Sequence, residues 1–470
     1  MKKSIILILM LAVFTVGCQN PLSPPDQEPP PGDEEPATPG QEEPVEEPEQ
    51  GLLDKLEEMV EREKAGAAEI GRFIRDHATE ASSLEMESMM EKLVLYQGAL
   101  ADEVNQKIYT EAYMKALNET MGGVLRPSNV EDIENEEARN DFQRLVDAHL
   151  KVVRYEETPV VETDWEALKV YENLVSEDFS ALIRLWEKIQ NSGYGRQEIA
   201  FEDIMQDLVQ TEELIQSNEV SFLTWQLNQL YERQVYSLFV GPEGSYMDTF
   251  VSKNSDLYTT LQKGAADYPD TRFAQLVETL ENSEATDHQT MTDHILNFYT
   301  FGVKGTGKIV KERLDGGESL GELFYVHLPQ EPTKEKAVDD LINQVAASMA
   351  LPEEGTLNNY IAYGNDHYLS VLMFGSYTTK GGEFRFREEM VTINLDTLER
   401  ETLRNMLERE GSNVSITEMF PTAPYDIDNF VIEGPGLRLM WQVEGQEHEE
   451  YGRMWFYELE RYMSLEKLYR

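Results

Sequence analysis

The stretch FGVKGTGKIV, residues 301–310, carries Gly302, Gly307 and Lys308 at the spacing G-x-x-x-x-G-K. In a phosphate-binding loop, that spacing lets backbone N–H groups cradle a polyphosphate while the lysine reaches its outer charges. Ile309 follows Lys308, so the hydroxyl that would hold magnesium is absent. No buried parallel strand is evident before it, and the preferred reading is a Gly-rich connection between two folded regions. SLEK at Ser464–Lys467 fits the S-x-x-K of a serine nucleophile, and SKN at Ser252–Asn254 imitates its companion motif. Their order is reversed and Lys467 stands near the last residue, so composition accounts for both. The seven histidines, His77, His149, His288, His294, His327, His367 and His448, are scattered, and no H-E-x-x-H sets two on one helix face. His448 in EGQEHEEYG reads as part of a solvated hairpin tip. With 89 acidic side chains, proximity of a Glu and an Asp is expected by chance, so no glycosidase dyad is named. Trp165, Trp186 and Trp225 fall on helical stripes, and Trp441 and Trp455 on strands; all five read as core. The sequence therefore assigns no catalytic residue, no cofactor site and no metal ligand, and expects no cofactor.

Cys18, the single cysteine of the 470-residue chain, is different. Lys2 and Lys3, an apolar run from Ile5 to Val16 and small residues before Cys18 make an export signal over residues 1–17. The run is shorter than the about 20 apolar residues of a membrane span. TVGC resembles the lipobox of bacterial lipoproteins. That resemblance implies that the Cys18 thiol receives a diacylglyceryl group and becomes the first residue after cleavage. Each buried lipid methylene contributes about 0.8 kcal/mol, so two or more chains hold firmly. The alternative is an ordinary cleaved signal with an incidental cysteine. The expected location is the outer face of the cytoplasmic membrane of a Gram-positive cell, with lipid as the only membrane contact.

The net charge is −49. It is spread over the folded parts rather than gathered in a tail, so nucleic acid and anionic phospholipid are poor partners. A cationic partner suits such a surface, but an alkaline or saline habitat explains uniform acidity as well and is preferred.

The elements that would position any site divide the chain. Residues 18–51 hold ten acids, no base and ten prolines, which keeps them extended as a tether. Residues 52–319 read as an α-helical domain, with two subdomains split near Gly241. Leu53, Leu56, Val60, Ala67, Ile70 and Ile74 form one helical stripe. Leu84, Met89, Leu93, Tyr96, Leu100, Val104 and Ile108 form another, and further stripes run near 138–154, 164–190, 198–218, 220–239 and 271–282. From Leu320 strands take over. ELFYVHL is a strand, and TKEKAVDDLINQVAASM a helix with Ala337, Leu341, Val345 and Met349 on one face. NNYIAYGNDHYLSVLMFGSY is a hairpin turning at Gly364-Asn365-Asp366, EEMVTINL a strand and LERETLRNMLERE a helix. NFVIEGPGLRLMWQVE is a further hairpin, and RMWFYEL closes the set. The fold class is multidomain: an all-α N-terminal domain, then an α+β domain over 320–470 with a mainly antiparallel sheet.

HYLSVLMFGSYTTKGGEFRF, TINLDTLERETLRNML and DNFVIEGPGLRLMW, in that order, resemble an extracytoplasmic domain of undefined function. That domain forms the outer part of the lysozyme-sensing anti-sigma factor RsiV and stands beside some peptidoglycan deacetylases. Small residues and His commonly follow the family's Gly-Gly; here EFRF follows Gly381-Gly382. The resemblance carries no functional residue over and implies envelope sensing or ligand binding. The expected function is thus a lipid-anchored, non-catalytic surface protein that binds an envelope ligand or partner, a cationic muramidase being one. A cell-wall polymer-modifying enzyme and a solute-binding import receptor are the alternatives.

Overall fold

The computed structural model describes residues 51–62, 65–120, 130–155, 158–192, 200–239, 256–282, 295, 302–304, 308–313, 322–328, 330–349, 351, 355–408, 416–424, 426–443 and 449–469. The expectations for the signal segment, Cys18, the tether, the split near Gly241, Ser252–Asn254, His288, His294, Gly307 and His448 lie outside those residues. An N-terminal helical region is followed by an α+β region of mainly antiparallel sheets.

The longer helices of the first region are α1 (Leu52–Arg62), α2 (Ala67–His77), α3 (Ser83–Ile108), α4 (Glu111–Thr120) and α5 (Glu136–Asp147). They are followed by α6 (Glu177–Ser192), α7 (Phe201–Ser217), α8 (Phe222–Phe239), α9 (Asp256–Asp267) and α10 (Arg272–Asn282). A capping box opens α3: the Glu85 N–H donates to the Ser82 hydroxyl, and the Ser82 N–H donates to the Glu85 carboxylate. Met86, Met89, Leu93, Leu100, Val104 and Ile108 bury the helix's apolar face. Leu84 was expected on that stripe but is 77% exposed. Five residues before Met89, it points about 140° away around the helix.

Two strands interrupt the expected helices. The stripe near 138–154 splits where α5 ends, and β1 (Leu150–Tyr155) pairs antiparallel with β2 (Thr158–Thr163). Val152 faces Val161 and Val153 faces Val160, β-branched pairs that favour a pleated sheet over a helix. The joint is His149, whose φ of 51° is left-handed and closes the preceding turn. Farther on, β3 (Lys308–Arg313) extends into the stretch expected as helical.

In the second region β3, β4 (Glu322–His327), β5 (Thr356–Gly364), β6 (Tyr368–Thr378), β7 (Phe384–Asn394) and β8 (Glu399–Arg400) form one sheet in that order. Only the β4–β5 pairing is parallel. Helix α11 (Pro332–Ser348) covers one face, burying Val338, Ile342 and Val345, with Met349 just beyond its end, against Leu369, Val371, Met373, Val391 and Ile393. Its buried side is turned from the expected line, since Val338 and Ile342 take the places given to Ala337 and Leu341. The stretch from Leu398, expected as one helix, opens instead with a left-handed Leu398 (φ 59°) and the short β8. A helix follows only at Leu403–Glu408. The Glu401 carboxylate and N–H are both used by β7, through Asn394 and Thr392, and this holds the chain extended.

On the other face of β5–β7 sits a three-stranded antiparallel sheet of β9 (Phe430–Glu433), β10 (Gly436–Gln442) and β11 (Glu449–Trp455). Its Val431 and Met440 pack on Met390, with Leu372 and Ala362 alongside. Its opposite face, with Phe430, Ile432, Leu437, Leu439, Trp441 and Met454, belongs to the same core as the helices. The two regions thus share one hydrophobic core. Among the described residues no helix is long and apolar enough to cross a membrane.

His149 is buried with its Nε2 3.3 Å from the Tyr171 hydroxyl. Burial pushes its pKa down from 6.5 to about 4. The ring is neutral in the fold and gains a proton on unfolding, so its contribution is full above pH 6.5 and is lost as pH falls to about 4. That loss is about 3 kcal/mol. Asn tolerates the left-handed conformation, so His149→Asn should flatten the decline in stability between these pH values, as read by urea unfolding.

Candidate functional site

The β6–β7 hairpin runs as eleven consecutive cross-strand pairs, from Tyr368 opposite Asn394 to Thr378 opposite Phe384. Its base is clamped. The Ser370 and Thr392 hydroxyls lie 2.8 Å apart, and they also meet the Ile432 N–H and the Phe430 carbonyl of β9. Its far end turns through Thr379–Glu383, where Gly382 has a φ of 82° that disfavours a side chain. That end extends past the three-stranded sheet, so the face buried at Met390 becomes open at Phe386.

Large apolar side chains occupy this open face. Phe384 is 70% exposed and Phe386 57%; Tyr360 of β5, 42% exposed, is on the same face but level with Leu372 and Met390. Phe386 stacks on the half-buried Phe374, with ring centroids 6.3 Å apart. Period two sends Arg385 and Arg387 to the opposite face. There Arg387 donates to the Met349 carbonyl at 2.8 Å and lies over Tyr377, while Arg385 pairs with Glu383. Lys380, Arg385 and Arg387 gather near the turn with Glu383, and the next acids, Glu388 and Glu389, lie toward the base, on a chain of net charge −49.

At the boundary between the open and buried parts stands a charged cluster. Arg438 Nη2 of β10 is 2.6 Å from Glu388 Oε1 of β7, both side chains largely buried. That oxygen is off hydrogen-bond alignment, and the buried Glu433 Oε2 lies 3.9 Å from Arg453, beyond hydrogen-bond distance. Burial raises the pKa of Glu388, against the pull of Arg438. Arg438 also lies 5.7 Å from the Tyr451 ring centre. Burial, with Glu388 and Glu449 nearby, pushes Tyr451 up to about 12. The cluster holds the two sheets in register beneath the exposed aromatics.

The residues weighed from sequence alone lie elsewhere. Lys308 begins β3, an edge strand, whereas a phosphate loop must lead into a helix N-terminus. The Ser464 hydroxyl accepts the Glu466 N–H and caps a short turn. Trp165, Trp225, Trp441 and Trp455 are buried, and Trp186 stacks on Trp165 with centroids 5.6 Å apart. His77, His327 and His367 each meet one carboxylate, from Glu80, Glu335 and Asp396. Among the described residues no three His, Cys, Asp or Glu side chains gather as a metal site requires. In the sequence, EFRF stands out only as a departure from a family pattern. Its alternation of Phe and Arg, with no buried continuation toward the Gly-Gly turn, was the signal of an exposed aromatic edge.

No known protein-family model matches the sequence, and no curated protein sequence matches it at a significant level. Among solved structures, a DUF3298 family protein from Pseudomonas aeruginosa is similar over 34% of this chain and 96% of its own, with 10% identity and a TM-score of 0.22. A member of the same family from Bacteroides fragilis is similar over 34% of this chain and 94% of its own, with 10% identity and a TM-score of 0.20.

Arg438→Met should leave Glu388 buried without its counter-charge and destabilise the fold by about 3–5 kcal/mol. The loss should shrink as pH falls and Glu388 becomes neutral, because burial penalises only the charged form. Adding Glu388→Gln should restore most of the stability in the same urea titration.

Proposed function

We propose that this is a lipid-anchored, non-catalytic binding protein of the bacterial envelope, and that its α+β region recognises the ligand at the far end of the β6–β7 hairpin. One observation carries the reading: Phe384 and Phe386 are exposed together on a hairpin whose base is fully hydrogen-bonded and packed. Exposed aromatic clusters of this kind cost solubility and mark surfaces of interaction. The arginines behind them favour an anionic or carbonyl-rich ligand over the cationic one considered from net charge. Cys18, through the lipid it would receive, holds the chain to the outer face of the cytoplasmic membrane, and residues 19–51 extend the folded part outward.

Two measurements on cells test this. Cys18→Ala should release the chain into the medium; retention in the membrane would overturn the anchor. The released chain should still bind isolated envelopes, and Phe384→Ser with Phe386→Ser should weaken that binding about tenfold or more, as loss of two aromatic anchors does. Leu84→Ser, at an exposed site on α3, should leave it unchanged. Equal binding by all variants, or turnover of purified peptidoglycan by the chain, would overturn the reading.

A further inference from the structure

The hairpin has an open edge as well as an open face. Strand β8 covers β7 only at Ile393 and Asn394. The outward direction along β7 is set by its hydrogen bonds: the Met390 N–H donates to Asn429 Oδ1, the Met390 carbonyl accepts from Arg400, and the Thr392 carbonyl accepts from the Glu401 N–H. Backbone groups alternate along an antiparallel pair. Phe384, Phe386 and Glu388 therefore point their N–H and C=O groups outward too, and these take no partner among the described residues. Such a row is a template for another strand.

We propose that the open edge of β7 from Phe384 to Glu388 binds its partner by strand addition, and that the occupant is an extended peptide segment alternating apolar and acidic residues. The proposal rests on the reading of this hairpin as the recognition surface. The chemistry of the two faces selects the occupant. Residues opposite Phe384 and Phe386 share the aromatic face, so apolar side chains fit there. Residues opposite Arg385 and Arg387 meet guanidinium groups that Glu383 and the Met349 carbonyl occupy only in part, so carboxylates fit there.

Two nearer occupants fail on the same geometry. A second copy would pair antiparallel about a two-fold axis perpendicular to the sheet, centred on Arg385, Phe386 or Arg387. The register centred on Phe386, which uses the whole edge from Phe384 to Glu388, sets Arg385 against Arg387 on both sides of the axis, and like charges directly opposite destabilise the pair. The chain's own acidic segment, residues 19–51, has no proline-free run longer than four residues, and proline lacks the N–H that a ladder needs.

The probe is a fluorescent heptapeptide, Val-Glu-Val-Glu-Val-Glu-Val, titrated by anisotropy with the full chain carrying Cys18→Ala. It should bind, weaken with salt, and outcompete the matching Val-Lys peptide. In the antiparallel ladder the valine N–H groups face β7, so N-methylation of the valines should abolish binding while N-methylation of the glutamates should not. Arg385→Glu with Arg387→Glu should weaken the acidic peptide about tenfold and transfer preference to the Val-Lys peptide. That reversal also reports that the variant is folded. No binding of the acidic peptide, equal affinity of the unaltered chain for both peptides, or equal sensitivity to the two methylation patterns would overturn strand addition. Envelope binding that still depends on Phe384 and Phe386 would then leave the recognition surface standing without it. Envelope binding indifferent to both phenylalanines would remove the surface itself.

Discussion

The stacking of Tyr469 on Trp225, with ring centroids 5.5 Å apart, is the contact on which the rest of the architecture depends. Trp225 belongs to α8 of the helical region, and Tyr469 to the segment that follows the three-stranded sheet. Phe456 meets the same indole at 5.6 Å, and Tyr457 stacks on Tyr96 of α3 at 4.0 Å. The Tyr469 hydroxyl donates to Glu91, whose own pKa is raised by burial. Each such aromatic anchor is worth about 3–5 kcal/mol when truncated. The same segment reaches the large sheet, because Asn365 in the β5–β6 turn donates to the Lys467 and Tyr469 carbonyls at 2.8 and 3.2 Å. Gly98 lets α3 approach: a side-chain carbon there would sit 2.8 Å from the Trp455 ring.

This wedge fixes one end of the β5–β6–β7 strands and so decides which end is free. Near the wedge, Tyr363 and Tyr368 are buried in the common core. Along the same strands the environment changes in steps, from Met390 under Val431, to Glu388 beside Arg438, to the exposed Phe386 and Phe384. The ion pair marks the last point at which the second sheet covers the first. A buried pair of this kind is weak evidence for stability but strongly penalises any slip that separates its partners.

Much of this was legible in the sequence, and the reasons differ by element. The stripe through Met89, Leu93, Leu100 and Val104 is long enough for a helical period to be unmistakable. Val391, Ile393 and Leu395 alternate and are buried as alternation demands. The hairpin turning at Gly434 was marked by its Gly-Pro-Gly and is confirmed by a left-handed φ of 56°. The β1–β2 pair was hidden because Leu150, Val152 and Val153 also satisfy a helical step, and only their pairing across the turn decides between the two. Leu84 matched a helix in hydrophobicity but not in angle. The candidate surface was the least legible part. Phe384 and Phe386 resemble ordinary strand core until the second sheet is seen to stop short of them, and that stop is set by contacts hundreds of residues away in the helices.

The most direct measurement is site-specific photo-crosslinking in living cells that carry the intact chain, with a photoreactive phenylalanine placed at Phe384 and, as a comparison, at Leu84. Recognition through the hairpin predicts a discrete cross-linked species from position 384 and none from position 84. Cross-links of equal yield from both positions, or from position 84 alone, would contradict it.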